Sequence, residues 1–281
     1  MKTREQLIDD LLDLSFAEDI GDGDHTTLST IPADAMGRQH LLVKEEGILA
    51  GVDIARRVFE KFDPSLKMTV MIPDGSHVRP GDIAFVVEGP VRSLLQTERI
   101  MLNIMQRMSG IATMTAKYQE RLAGLKAMVL DTRKTTPGMR ILEKEAVKLG
   151  GGANHRIGLF DMILIKDNHN DFAGGIPQSV ARAKAYLKEN GKDLKIEVEV
   201  RNDEEIEQAL AAGVDRIMLD NFTPEHTADA VKRIAGRAEV ESSGGITLDT
   251  LRAYGEAGVD FISVGALTHS VKGLDMSFKA C

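Results

Sequence analysis

The chain has 281 residues, 43% of them hydrophobic, with no tryptophan, three tyrosines and a formal net charge of −8. That is enough apolar material for two domains, or for one barrel-sized domain with an appendage. The acidity and the lack of stacking aromatics exclude nucleic acid or an anionic membrane as a main partner, and a single cysteine, Cys281, excludes an internal disulfide or a cysteine metal cluster.

The opening residues, MKTREQLIDDLLDLSFAED, carry no apolar signal core, and no later segment reaches the roughly 18 uninterrupted apolar residues of a membrane span. A cytoplasmic, globular protein is expected. Residues 1 to about 110 mix short elements: LIDDLLDLSF and IARRVFEKF have the spacing of amphipathic helices. PDGSHVRPGDIAFVVEGP alternates turn signals with short β-rich runs, as in a small antiparallel sheet. Such hairpins also occur in lipoyl carriers, but no lysine sits at a hairpin tip, so this region is read as a packing domain. A long helix follows, with Ser93 and Gln96 as a capping-box pair and Ile100, Met101, Ile104, Met105 and Met108 on one apolar face. Arg99 and Arg107 lie elsewhere on it, and without partners they read as solvated.

After Gly124 the pattern becomes regular. Six short apolar runs (AMVLDTRK, DMILIKDN, KIEVEV, RIMLDN, AEVESSGG and FISVGA) alternate with helical stretches such as SVARAKAYLKEN and DEEIEQALAAG. Strands alternating with helices of this length predict parallel β-α units. The uniform beat, and the absence of GxGxxG after the first strand, favour an α/β barrel over a doubly wound sheet. In both folds the carboxyl ends of the strands line the active site. Here those ends hold Arg133 and Lys134, then Lys166 and Asp167, then Glu199, Asp220, Ser243 to Gly245, and Gly265.

Between Asp131 and Lys166 stand seven Arg or Lys against four Asp or Glu. Lys144 and Lys148, at helical spacing from glutamates, read as solvated. Arg133, Lys134, Arg156 and Lys166 sit instead at strand ends or in a glycine-rich loop, with His155 as a further donor. Arginine suits bidentate binding of carboxylate, whereas lysine acts as a point charge on phosphate. Glu199 and Asp220 could face that basic group across the barrel mouth; acids beside phosphates imply a divalent cation or sugar hydroxyls. Glu197 shares a face with Glu199, and spacing alone barely separates the two. SSGGI and SVGALTHS, after the last two strands, are small-residue loops of the kind that seat a phosphate on backbone N–H groups. These parts describe a substrate with a terminal phosphate and a metal-bound polyphosphate, and a second reactant bearing carboxylates. A phosphoribosyl donor fits.

DTRKTTPGMR, GGGANHRIGLFDMILIKDNH, IEVEV, IMLDN, SSGGI and SVGALTHS, with EDIGDGDHTT and TERIMLNIMQRMSGIAT before them, resemble the motifs of the quinolinate phosphoribosyltransferase family in the family's order. The resemblance covers essentially the whole chain. It implies an N-terminal α/β sandwich domain over residues 1–110, with the tail 270–281 packing on it, and an open seven-stranded α/β barrel over residues 111–269. It implies a homodimer whose active site a neighbouring subunit completes through Arg99, with assembly beyond the dimer left open. Arg133, His155 and Arg156 would hold the pyridine dicarboxylate, Thr132 would join the substrate-binding residues, and Lys134 and Lys166 would face phosphates and reacting groups. Glu199 and Asp220 would handle ribose hydroxyls and Mg2+. Ser243, Gly244, Gly245, Val264, Gly265 and Ala266 would cradle the 5-phosphate. The substrates would be quinolinate and 5-phosphoribosyl 1-pyrophosphate, with no organic cofactor.

Two other readings remain. The related molybdenum-transport accessory proteins share the fold, but carry TFPG where this chain has TTPG and lack its IKDNH. A non-catalytic phosphosugar-binding barrel would have no use for Glu199 and Asp220 opposite the lysines.

Overall fold

The computed structural model describes residues 2–281, which fall into two compact units. One comprises the chain up to Ala116 together with Thr135–Gly151 and Ala266–Cys281; the other comprises Lys117–Lys134 and Gly152–Gly265. Elements are numbered along the chain.

The first unit begins with α1 (Arg4–Ile20), where Thr3 and Gln6 each accept the other's backbone N–H in a capping box. Only Ile8 and Leu12 of α1 are fully buried, while Leu14 stays exposed, so its apolar stripe is narrow. Then come α2 (His25–Thr30), β1 (Met36–Val43), β2 (Gly47–Ile48), α3 (Val52–Phe62), β3 (Lys67–Val70), β4 (His77–Val78), β5 (Ile83–Pro90) and α4 (Val91–Arg121). The chain returns to this unit as α5 (Arg140–Leu149), and again as α11 (Ala266–His269) and β12 (Met276–Ala280). The antiparallel sheet runs β12-β1-β5-β3, and β2 pairs with β4. Helix α3 buries Ile54, Ala55, Val58 and Phe59 on one face. There Phe59 meets Phe278 of β12 at 5.9 Å and Phe85 of β5 at 6.2 Å between ring centroids, an aromatic core joining three elements distant in sequence.

Three expectations for this unit need correction. Helix α4 buries the predicted face, Ile100 to Met108, but it starts at Val91, directly out of β5, so Ser93 is not its cap. The Ser93 hydroxyl instead donates to Asp63 Oδ2 at 2.6 Å. Arg107 is not a solvated arginine: it donates to Glu143 Oε1 at 2.6 Å and to the Thr268 carbonyl at 2.7 Å, and Glu143 is fully buried. Lys144, expected in solvent, is buried, because the face of α5 carrying Leu142, Glu143 and Val147 turns inward as a whole; Lys148 is exposed as expected.

The second unit contains β6 (Met128–Leu130), β7 (Ile163–Ile165), α6 (Asp167–Ala173), α7 (Ile176–Glu189), β8 (Ile196–Val200), α8 (Asp203–Ala212), β9 (Arg216–Asp220), α9 (Pro224–Ile234), β10 (Glu239–Ser243), α10 (Leu251–Glu256) and β11 (Phe261–Ser263). All six strands are parallel, in the order β6-β11-β10-β9-β8-β7. The expected seventh strand is reduced to a single parallel bridge between Ala153 and Leu130, because glycines and a loop surround it. Side chains from β7, β9, β10 and β11 and from the loop after β6 line one cavity, so the sheet curves around it.

Strand register explains what faces that cavity. Parallel pairing aligns Glu197 with Arg216, and Glu199 with Met218; it aligns Arg216, Met218 and Asp220 with Glu239, Glu241 and Ser243. Since strand side chains alternate, these share the inner face, while Val198, Ile217, Leu219, Val240 and Ile262 form the buried outer face. The six predicted strands and the direction of their carboxyl ends therefore match the sequence reading, and the helices between them restore the chain for each parallel step.

Candidate active site

The cavity of about 370 Å3 opens among Thr132, Arg133, Lys134, His155, Arg156, Lys166 and Ser243, all from the predicted set, with Asp131, Leu164, Met218, Glu241 and Ser263. The loop after β6 is anchored by Asp131, which is fully buried and accepts the His155 backbone N–H at 3.0 Å. Lys134 N–H donates to Thr132 Oγ1 at 3.1 Å, which turns the loop back on itself. Arg133 is exposed, and neither it nor Arg156 has an ion-pair partner among the described residues. Burial, and next the nearby Arg133, hold the Arg156 guanidinium below its usual value. Two guanidiniums near one another, with Glu197 and Asp161 only weaker, opposing influences on Arg156, form a seat for a multiply charged anion.

Lys166 follows β7 and is fixed where its backbone N–H donates to His169 Nδ1 at 3.0 Å. Its ammonium lies 3.2 Å from Glu199 Oε2, so Glu199 meets the basic residue of the neighbouring strand rather than one across the mouth. Asp220 ends β9, and its Oδ2 accepts from the Asn221 side chain at 2.8 Å. Asn221 has φ +57° and donates its N–H to the Ser243 carbonyl at 2.9 Å. Gly244 follows with φ +102°, and a Cβ there would collide with the Asn221 side chain and lie 2.9 Å from its backbone nitrogen. Only glycine permits that close approach. Gly245 (φ +59°) continues the turn. After β11, Val264 N–H is committed to the Leu130 carbonyl at 2.9 Å, and Gly265 ends the unit. Ala266 and Arg99 belong to the first unit, where Arg99 is exposed on α4.

At the bottom of the cavity His155 and Glu241 meet Glu197, a juxtaposition that sequence spacing did not bring out. His155 Nε2 is 2.9 Å from Glu197 Oε2 and 3.4 Å from Glu241 Oε2, and both carboxylates are fully buried. Glu241 also accepts from Ser263 Oγ at 2.6 Å and from Arg216 Nη1 at 3.2 Å. Burial disfavours its charge, but His155, Ser263 and Arg216 together hold Glu241 below the usual carboxylate range. Burial, and then Glu241, push Glu197 up to about 7. Burial works against charging His155, yet the two carboxylates facing Nε2, which can accept its proton's hydrogen bond and carry opposite charge, outweigh it and push the imidazole up to about 9. The Arg156 N–H donates to His155 Nδ1 at 2.8 Å, which requires a lone pair there and puts the imidazole proton on Nε2. His155 and Glu197 therefore hold one additional proton as a pair near neutrality. The available signal was the acid in mid-strand of IEVEV and AEVES: alternation places Glu197 and Glu241 on the inner face, one layer below the strand ends.

Family models match both parts of the chain: quinolinate phosphoribosyl transferase, N-terminal domain, over residues 24–109, and the C-terminal domain of the same enzyme over residues 111–279. The chain belongs to the quinolinate phosphoribosyl transferase family. It is 47% identical to the chloroplastic nicotinate-nucleotide pyrophosphorylase [carboxylating] of Arabidopsis thaliana, over 96% of this chain and 81% of that one. It is 43% identical to the probable nicotinate-nucleotide pyrophosphorylase [carboxylating] of Bacillus subtilis, over 95% and 91%. Among solved structures, NadC from Streptococcus pyogenes superposes with a TM-score of 0.93 at 41% identity, covering 99% of this chain and 98% of that one. Membership in the quinolinate phosphoribosyl transferase family accounts for the α/β architecture and does not favour the accessory-protein or binding-barrel readings. Among the described residues no helix is long and apolar enough to cross a membrane.

Proposed function

We propose that this chain transfers phosphoribosyl from 5-phosphoribosyl 1-pyrophosphate to quinolinate with decarboxylation, giving nicotinate mononucleotide, CO2 and pyrophosphate, a step of NAD biosynthesis. The observation that carries this, beside the family membership, is the Arg133–Arg156 pair, two guanidiniums on one cavity with no ion-pair partner of their own. A pyridine dicarboxylate supplies the charges they lack. Lys134 and Lys166 stand on the same cavity, where they meet the pyrophosphate and stabilise charge that develops as it leaves ribose C1. Attack by the pyridine nitrogen makes the ring cationic, so that the ring itself accepts the electron pair as the adjacent carboxylate departs as CO2. No organic cofactor is required, and Lys134 is our candidate for reprotonating the ring carbon.

Glu199 and Asp220 offer hard carboxylate oxygens suited to magnesium, and the protein hydrogen bonds recorded on them go to one oxygen of each, Oε2 and Oδ2. They would hold Mg2+ together with the donor's phosphates, where the ion neutralises the leaving pyrophosphate. Ser243, Gly244 and Gly245 would take the 5-phosphate on their turn. We infer a homodimer in which Arg99 of one copy serves the other's cavity, supported by its exposure and by its place in the family motif. A cytoplasmic setting suits an acidic chain whose one cysteine is free and exposed.

The test is release of labelled CO2 from carboxyl-labelled quinolinate, with magnesium, with and without the phosphoribosyl donor. Donor-dependent release matched by nicotinate mononucleotide is expected. No release from folded protein that binds the donor would overturn the reading.

A further inference from the structure

A seat for a dianion stands here above three fully buried acids, Asp131, Glu197 and Glu241. An uncompensated floor of that kind would repel the ligand that the rim attracts. The compensation comes from below. Arg216, at the amino end of β9, donates to Glu241 through Nη1 and to Glu239 through Nε and Nη2 at 3.1 and 3.0 Å. Its guanidinium also lies over the Phe261 ring, 4.1 Å from the centroid, which fixes its plane. Above it, Glu241 is held by Ser263, and its Oε2 reaches His155. His155 in turn accepts the backbone N–H of Arg156. A column of contacts therefore leads from Arg216 through Glu241 and His155 to one of the two rim arginines.

The donor atoms of His155, Glu197 and Glu241 lie within 4.8 Å of one another, which is also the reach of a metal site. The Arg216 guanidinium already bonded to Glu241 speaks against that use, since a cation entering there would sit against a fixed positive charge.

We propose that Glu241, backed by Arg216, is a positioning residue for the dicarboxylate seat: it fixes the His155 ring, and through that ring the backbone of Arg156. The idea rests on the function proposed above and adds to it a buried determinant of quinolinate binding that acts through another side chain. Its signature is selectivity between the two substrates, because the column ends at the arginines and not at the Ser243–Gly245 turn.

The experiment is steady-state kinetics of Glu241→Gln and of the milder Arg216→Lys, varying each substrate in turn, with quinolinate binding read by calorimetry. Glu241→Gln should raise KM and Kd for quinolinate about tenfold or more, as expected for losing a buried charge-assisted contact, with the phosphoribosyl-donor KM within about twofold. Glu241→Asp should restore part of the loss. Arg216→Lys keeps the charge but loses the fork, and should raise quinolinate KM by a smaller factor, about threefold. If Glu241→Gln does not fold, Arg216→Lys decides. Equal losses for both substrates, or an unchanged quinolinate KM in folded variants, would overturn the proposal. A wild-type protein without donor-dependent CO2 release would overturn the underlying function instead, whatever the variants do.

Discussion

The rim and the floor of the second unit's cavity use the same charged residue types under opposite rules. At the rim, Arg133 and Arg156 have no acid partner, and Lys166, half-exposed, shares one with Glu199. At the floor, Arg216 meets two glutamates, Glu241 meets three partners, and His155 lies between two carboxylates. Water solvates an unpaired charge near the surface, and a ligand can replace that water. A charge beneath the surface has only protein to compensate it. Unpaired arginines at the rim therefore mark a place for a ligand, while a paired floor marks what the fold must keep to hold the rim in place.

The sharpest way to break this contrast is to remove a floor charge outright. Arg216→Met leaves Glu241 and Glu197 buried with less compensation and should lower unfolding free energy by about 3–5 kcal/mol. Urea denaturation checks it, and a loss under about 1 kcal/mol would mean that water reaches the floor. Arg133→Ala is the rim counterpart. It should cost quinolinate binding on the order of 2–5 kcal/mol while the phosphoribosyl donor binds nearly as before, and stability should move by no more than about 0.5 kcal/mol. Calorimetry and thermal melting on the same sample separate the two.

The floor should also respond to pH where the rim does not. The one additional proton of the His155–Glu197 pair is held up to about 9, above the 6.5 of an ordinary imidazole, so the stability it contributes is fully present below pH 6.5 and is lost as pH rises through about 9. The loss should reach roughly 3 kcal/mol, seen as a declining urea midpoint between pH 6 and 9.5. His155→Gln should flatten that slope. Next in size, Gly244→Ala forces a Cβ against Asn221 at a left-handed φ and should cost about 1–3 kcal/mol. The donor's KM should rise more than quinolinate's. Smallest is Lys195→Ala, which deletes an exposed ion pair to Glu239 and should change stability by less than about 1 kcal/mol.

How far the molecule was legible in its sequence follows the same division. The strands and their carboxyl-end residues could be read because a parallel strand buried on both faces shows as an apolar run that stops abruptly at polar residues. That rule singled out Arg133, Lys134, Lys166 and Ser243, whereas His155 and Arg156 were read from their glycine-rich loop and Thr132 from the family resemblance; all seven line one cavity. Glu197 was weighed only against Glu199 and Glu241 was not singled out, because their partners lie on other strands and in another loop, and a charge inside a strand gives no local hint of which partner neutralises it. Arg107 and Lys144 were misread for the same reason: spacing showed no partner for Arg107 and suggested surface pairing for Lys144, whereas packing decided which face turned inward. Ser93 looked like a cap because nothing local shows that β5 runs straight into α4.

The chain's path through the two units carries a consequence for synthesis. The first unit needs α5, made after the chain has already begun β6, and β12, which lies at residues 276–280 and closes one side of the sheet against β1. As the polypeptide leaves the ribosome, residues 1–116 have an open β1 edge and an uncovered Phe59–Phe85 pair until Phe278 arrives. A nascent chain halted anywhere in the second unit therefore exposes a pairing edge and aromatic surface to its surroundings. Dividing the gene between residues 110 and 111 would split the first unit's core between two fragments, while the second unit would lie wholly in the later one.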